Sequence, residues 1–245
     1  SSPLRPPIPG IDSPRIRTLW TVPDTDEVRR IIREEHVQRA VVIGGGFIGL
    51  EMAENLRHLG LEVSLVEAMD QVMAPLDIEM AHVLHGHIRQ HGVELILGDG
   101  VDSFRDEGRR VRISLKSGRE LAAELVILSI GVRPNGDLAK EAGLAVNQRG
   151  GIVVDAHMRT EDPVIYAVGD AVEVEDFVFG GPTMIPLAGP ANKQGRIAAD
   201  NIAGLNQRYE GSLGAAVAKV FDLTAASVGA NEKALLRRGL VRGQD

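Results

Sequence analysis

The chain has 245 residues, 44% of them apolar, with a formal net charge of −7, 28 glycines and no cysteine. The acidic balance and an aromatic content of 3% argue against a charge-driven or base-stacking grip on nucleic acid. No apolar run approaches the ~20 residues of a membrane-spanning helix, and without cysteine these residues hold no disulfide, thiolate metal site or thiol nucleophile.

Residues 1–14, "SSPLRPPIPGIDSP", are rich in proline and read as extended. They lack the apolar stretch of a signal peptide, so the cytoplasm is the expected compartment. Over residues 24–37, Val28, Ile31 and Ile32 have helical spacing with charges between them, and Asp24 is the expected N-cap. A β-branched run predicts a buried strand over 40–43. A helix is expected over 47–59, closed by Gly60, a strand over 62–67, a helix over 77–91 closed by Gly92, and a strand over 93–97. Alternation predicts a strand over 111–115, preceded by the charged hairpin turn "RDEGRR" (105–110) and followed by the turn "KSG" (116–118). An apolar strand spans 125–130 and ends at Gly131, after which "VRPNGD" (132–137) breaks the pattern. Short strands are expected over 152–154 and 164–168 and a helix over 192–202, while 211–245 reads as the opening of another α/β unit. Strand, helix, strand, helix and strand in that order describe a βαβ unit extended into a parallel sheet.

The connection from the first buried strand to its helix carries the chemistry. Gly44-Gly45-Gly46-Phe47-Ile48-Gly49 fits G-x-G-x-x-G, and it lies between a strand and a helix as a dinucleotide loop must. Gly44 permits the tight turn, Gly46 lets a pyrophosphate approach the backbone, and Gly49 lets the helix pack closely on the strand. The helix start offers unpaired N–H groups and a partial positive charge. Glu67 ends the second strand, 18 residues after Gly49, where a carboxylate can accept both ribose hydroxyls. Its charge would repel a 2′-phosphate, and "AMDQV" after it has no arginine, so NAD(H) is expected rather than NADP(H).

Two further features are weaker. "YAVGDA" (166–171) presents Gly169-Asp170 after a short strand, where an acid could hold a polyol hydroxyl, although a Gly-Asp pair alone is more often only a turn. His82, His85, His87 and His91 share one predicted helix, but the first two and the last two point to different sides. Four ligands cannot converge there, and a solvated face is expected rather than a metal site. No G-x-S-x-G elbow accompanies the serines.

Taken together, "PPIPGID" (6–12), "VVIGGGFIGLEMAENL" (41–56), "LVEAMDQVM" (65–73), "ILSIGVRPN" (127–135), "IYAVGDA" (165–171), "MIPLAGPANKQGRIAADNI" (184–202) and "VAKVFDLTAASVGANEKAL" (217–235) resemble the pyridine nucleotide-disulfide oxidoreductases. The resemblance is to the branch with coenzyme A-disulfide reductases, NADH oxidases and persulfide reductases. It implies a Rossmann-like NAD(H)-binding domain with a parallel sheet over 15–131. The tail of an FAD domain's first segment (1–14) and that domain's second segment (132–208) would flank it. The start of an α/β dimerisation domain would follow (209–245). It implies that Gly44, Gly46 and Gly49 bind the NADH pyrophosphate and Glu67 the ribose, with Phe47, Ile48, Glu51 and Gly131 near the nicotinamide. Gly169-Asp170 would meet the ribityl chain of FAD, and the backbone at Leu187 and Ala188 the pyrimidine end of the flavin. Hydride would pass from NADH to FAD and on to a small-molecule acceptor: a CoA disulfide, a persulfide or dioxygen. A homodimer is expected for the full-length parent, with neither nucleic acid nor membrane as a partner. The family's first segment, with its own glycine loop and redox cysteine, has no counterpart here, so the resemblance implies a fragment. Two other readings stay open: a non-catalytic, free-standing NAD(H)-binding module, and a ferredoxin-reductase-like electron carrier.

Overall fold

A computed structural model describes residues 1–240. Strands β1 (Ser2–Pro3) and β2 (Ile16–Arg17) precede helix α1 (Val22–Glu34). Thr21, not Asp24, is the N-cap of α1: its hydroxyl accepts the Asp24 N–H, and the Asp24 carboxylate accepts the Thr21 N–H at 2.7 Å. This reciprocal box satisfies two donors at once, and Pro23 sits in the first turn, where its missing N–H costs nothing. The helix therefore begins earlier than residue 24.

The alternation that follows is the expected one: β3 (Arg39–Ile43), α2 (Phe47–His58), β4 (Glu62–Val66), α3 (Ile78–Gln90) and β5 (Val93–Ile96). Strands β6 (Val101–Asp106), β7 (Val111–Leu115) and β8 (Glu120–Ala123) form an antiparallel sheet, and β9 (Leu125–Leu128) returns to the parallel one. The five-stranded sheet has the order β2-β9-β3-β4-β5 with every pairing parallel. A parallel sheet needs cover on both faces, and successive residues of β3 supply it. Ala40 and Val42 join the core beneath α1, α2 and α3, while Val41 and Ile43 join a second core with Phe104, Val111, Ile113 and Leu115 of the antiparallel sheet. Each fully buried aliphatic side chain contributes about 1.5–3 kcal/mol. β6 and β8 escape sequence reading because β6 exposes the charged Asp102, Arg105 and Asp106, and β8 is short, with alanine at two of its four positions.

Beyond the central sheet come β10 (Val132–Arg133), α4 (Asp137–Glu141), β11 (Ile152–Val153), a 3-10 turn at Gly169–Ala171, β12 (Val172–Glu175) and β13 (Pro182–Thr183). Residues 164–168 are not a strand; they contribute one isolated bridge, between Arg159 and Tyr166. The Thr160 hydroxyl donates to the carbonyls of Asp162 and Ile165, and the Asp162 carboxylate accepts the Val164 N–H. These local bonds occupy groups that a ladder would use. Helix α5 (Ala188–Ile202) starts before residue 192, because Pro190 is tolerated in its first turn.

The C-terminal stretch forms the hairpin β14 (Ala216–Val220) and β15 (Leu223–Ser227), then α6 (Glu232–Arg237). The rest of the expected α/β unit, 241–245, lies outside the described residues. The hairpin packs on the helical side of the parallel sheet: Ala218, Val220 and Phe221 join its core, and Glu54 accepts the Phe221 N–H at 2.7 Å. No helix among the described residues is long and apolar enough to cross a membrane.

Candidate functional site

The glycine loop leaves the carboxyl end of β3 and enters α2. Gly44 has φ +106°, and a Cβ on it would lie 2.4 Å from the carbonyl oxygen of Ser129. A Cβ on Gly49 would lie 1.8 Å from the Gly44 carbonyl oxygen. These two glycines are required by the fold itself. Gly46 differs: a Cβ there meets no atom within 4 Å, and its φ of −80° suits any residue. The space over Gly46 is open. Gly46 is also the N-cap of α2, and no side chain caps that helix. A cradle of free backbone at a positive helix end fits an anionic phosphate.

Glu67 follows β4 directly and turns back to the loop. One carboxylate oxygen accepts the Gly45 N–H at 2.6 Å and the other accepts the Met69 N–H at 2.8 Å. Each oxygen keeps a lone pair for a hydroxyl. Phe47 is half-buried against the helical core, Ile48 is 40% exposed, and Glu51 is exposed one turn into α2.

A continuous thread runs from this loop to Asp170. Gly44 abuts Ser129, whose hydroxyl donates to the carbonyls of Ile43 and Gly44. Two residues on, Gly131 has φ +112° and its carbonyl accepts the Leu4 N–H at 2.9 Å. β1 pairs antiparallel with β10, and the Ser1 hydroxyl donates to Asp170 at 2.8 Å. Ser1 and Leu4 are at most about 10 Å apart along the chain, so Gly131 and Asp170 lie in one neighbourhood. Gly169, at φ +88°, donates its N–H to Gln194, a side chain only 1% exposed on α5. Leu187 is the N-cap of α5 and Ala188 its exposed first residue, with no side-chain cap.

A family model described as pyridine nucleotide-disulphide oxidoreductase matches residues 1–222. The chain belongs to this family. Among solved structures it is 52% identical to reduced Bacillus anthracis CoADR-RHD, with a TM-score of 0.94 over 98% of this chain and 43% of that one. It is 40% identical to an NAD-dependent persulfide reductase from A. fulgidus, with a TM-score of 0.94 over 97% of this chain and 44% of the other. Among curated relatives, an NADH oxidase of Methanocaldococcus jannaschii is 35% identical over 230 residues, which are 94% of this chain and 51% of that protein. The chain thus spans about half the length of the curated relatives named NADH oxidase and coenzyme A disulfide reductase that it matches.

Sequence reading passes over the residues that brace the glycine loop. Met73 donates its N–H to the Gly45 carbonyl at 2.9 Å, and a Cβ on Gly45 would lie 2.8 Å from Val72. Gln71, 4% exposed, donates to the carbonyls of Val72, Met73 and Leu76. His85 of α3 accepts the Val72 N–H through Nε2 at 3.2 Å. Burial holds the His85 imidazole below its ordinary pKa, which keeps it a neutral acceptor. The available signal was polar residues at positions that the apolar spacing assigns to the core. It was not strong enough to separate Gln71 or His85 from other polar residues of the same stretch.

Proposed function

We propose that this chain carries the NAD(H) site and part of the FAD site of a flavin-dependent pyridine nucleotide-disulfide oxidoreductase. NADH is the electron donor, and the acceptor is a CoA disulfide, a persulfide or dioxygen. The observation that carries this reading is the open space over Gly46 at the uncapped start of α2, tied through Ser129, Gly131 and residues 1–4 to Asp170. The loop suits a pyrophosphate, and the spare lone pairs of Glu67 suit the adenosine ribose while opposing a 2′-phosphate. Phe47, Ile48, Glu51 and Gly131 line the side where the nicotinamide would lie. Asp170 would accept a ribityl hydroxyl in place of Ser1, and the start of α5 at Leu187 and Ala188 would meet the polar edge of the flavin. When bound, the two cofactors supply hydride donation and acceptance; the protein aligns the rings and excludes water.

On this reading 15–131 is the NAD(H) domain, 1–14 and 132–208 belong to the FAD domain, and 209 onward begins a dimerisation domain of a homodimer. Thiol chemistry would draw on a cysteine outside these 245 residues, since they contain none. The test is anaerobic mixing of the intact protein with NADH. Rapid loss of the flavin's visible absorption is expected, slower with NADPH, and CoA disulfide or a persulfide should restore it. A protein that binds NADH but holds no flavin would refute the proposal in favour of a non-catalytic module.

A further inference from the structure

We propose that His87, His91 and Asp222 form a binding site for a divalent transition-metal ion of the zinc class, which clamps the β14–β15 hairpin onto α3. Among the described residues, these three bring one ligand atom each to within 4.8 Å of one another. His87 and His91 are one helical turn apart and face the same side, with ring centroids 4.4 Å apart. Asp222 arrives from the turn of the hairpin. Its Oδ1 lies 2.8 Å from His87 Nε2 and 3.5 Å from His91 Nε2. Tetrahedral zinc with arms of about 2.0–2.1 Å spaces its ligand atoms by about 3.3–3.4 Å, a value that these two separations bracket.

Both Nε2 atoms lie against the Asp222 carboxylate. His91 Nδ1 lies 2.9 Å from the His87 carbonyl oxygen and donates to it, which leaves Nε2 as the ring atom turned toward Asp222. His87 Nε2 is shielded from solvent and makes no hydrogen bond, despite its closeness to the carboxylate. The oxygen lies off the direction in which that nitrogen would donate. Two ring nitrogens and one carboxylate oxygen thus converge on one point. Imidazole nitrogens with one carboxylate suit zinc, nickel or copper rather than calcium or magnesium.

The surroundings hold the ligands in place. Phe221 stacks on the His91 ring with centroids 4.1 Å apart and planes at 14°, and it presents an edge to His87 and to His58. Phe221 takes φ +55° and Glu54 accepts its N–H, which fixes the turn that carries Asp222. The Asp222 side chain is 80% exposed, leaving room for water as a fourth ligand. The histidine pairs on α3 do diverge as the spacing predicts, with His82 and His85 forming a separate pair. The second pair finds its third ligand on a hairpin more than a hundred residues away.

Chelator-treated intact protein titrated with Co2+, followed by competition with Zn2+, tests the site. One ion per chain with nitrogen–oxygen ligand-field absorption is expected. Asp222→Asn and His91→Gln should each weaken binding at least tenfold, and His82→Gln should not. Zn2+ should raise the unfolding temperature of the parent but not of Asp222→Asn, a change at an exposed side chain that leaves the fold intact. Absence of Co2+ binding, binding that survives in both site variants, or equal loss in His82→Gln would overturn the proposal.

Discussion

Gly46→Ala separates a glycine kept for a ligand from one kept for the fold. The φ of −80° and ψ of −170° at Gly46 are open to alanine, and the added methyl meets nothing within 4 Å. Two opposing effects act on stability. Alanine narrows the unfolded ensemble, worth about 0.4–1 kcal/mol in its favour. It is also a poorer N-cap than glycine, by a similar amount. The melting temperature should therefore stay within a few degrees of the parent. Binding behaves differently, because the methyl fills the space over the start of α2 where the pyrophosphate would meet the backbone. Losing one charge-assisted hydrogen bond to a backbone N–H costs about 1.5–3 kcal/mol, which is about 10- to 150-fold in affinity. Isothermal titration with NADH, run beside thermal unfolding of the same sample, reads both quantities. Unchanged NADH affinity in a folded Gly46→Ala protein would refute the placement of the pyrophosphate. A loss of affinity that accompanies a collapse of stability would refute the claim that the space is reserved for a ligand.

Gly49→Ala makes the contrast: its Cβ would lie 1.8 Å from the Gly44 carbonyl oxygen, so chemical denaturation should show a stability loss of about 1–3 kcal/mol or more, with or without nucleotide. Glu67→Gln combined with Ala68→Arg removes the carboxylate charge and adds a cation at an exposed neighbour. The preference for NADH over NADPH in steady-state assays should fall by at least about tenfold, some 1.4 kcal/mol; an unchanged ratio would show that Glu67 does not face the ribose. Glu124 is buried, which raises its pKa. Hydrogen bonds from the Arg39 N–H, the Arg110 side chain and the Gln38 N–H outweigh that and bring it below the ordinary 4.5. A depressed carboxylate contributes stability that is present above its unfolded pKa and is lost as pH falls through the lower folded value. Glu124→Gln should therefore cost about 1–3 kcal/mol at pH 7 and much less near pH 3; a cost independent of pH in denaturation curves would refute the role of its charge.

Much of the site was legible because its residues are close in sequence and their demands are local. The strand over 40–43, the helix from residue 47 and the acid at 67 are set by a run of β-branched residues, a glycine cluster and a two-strand spacing, each of which acts within one βαβ unit. Local pattern misled where side chains compete with the ladder, as Thr160 and Asp162 do against a strand over 164–168, and where a cap lies one turn upstream, as Thr21 does for α1.

What the sequence alone determined is the alternation of strands and helices, the glycine loop and the acid beside it, since burial period and backbone sterics act over a few residues. What only the tertiary structure decided are contacts between residues distant in the chain. The link from Gly44 through Gly131 and Ser1 to Asp170 depends on β1 pairing with β10. The brace of Gln71 and His85 behind the loop depends on how α3 packs. The meeting of His87 and His91 with Asp222 depends on where a hairpin docks. No spacing rule encodes such contacts, because the packing of whole faces positions them.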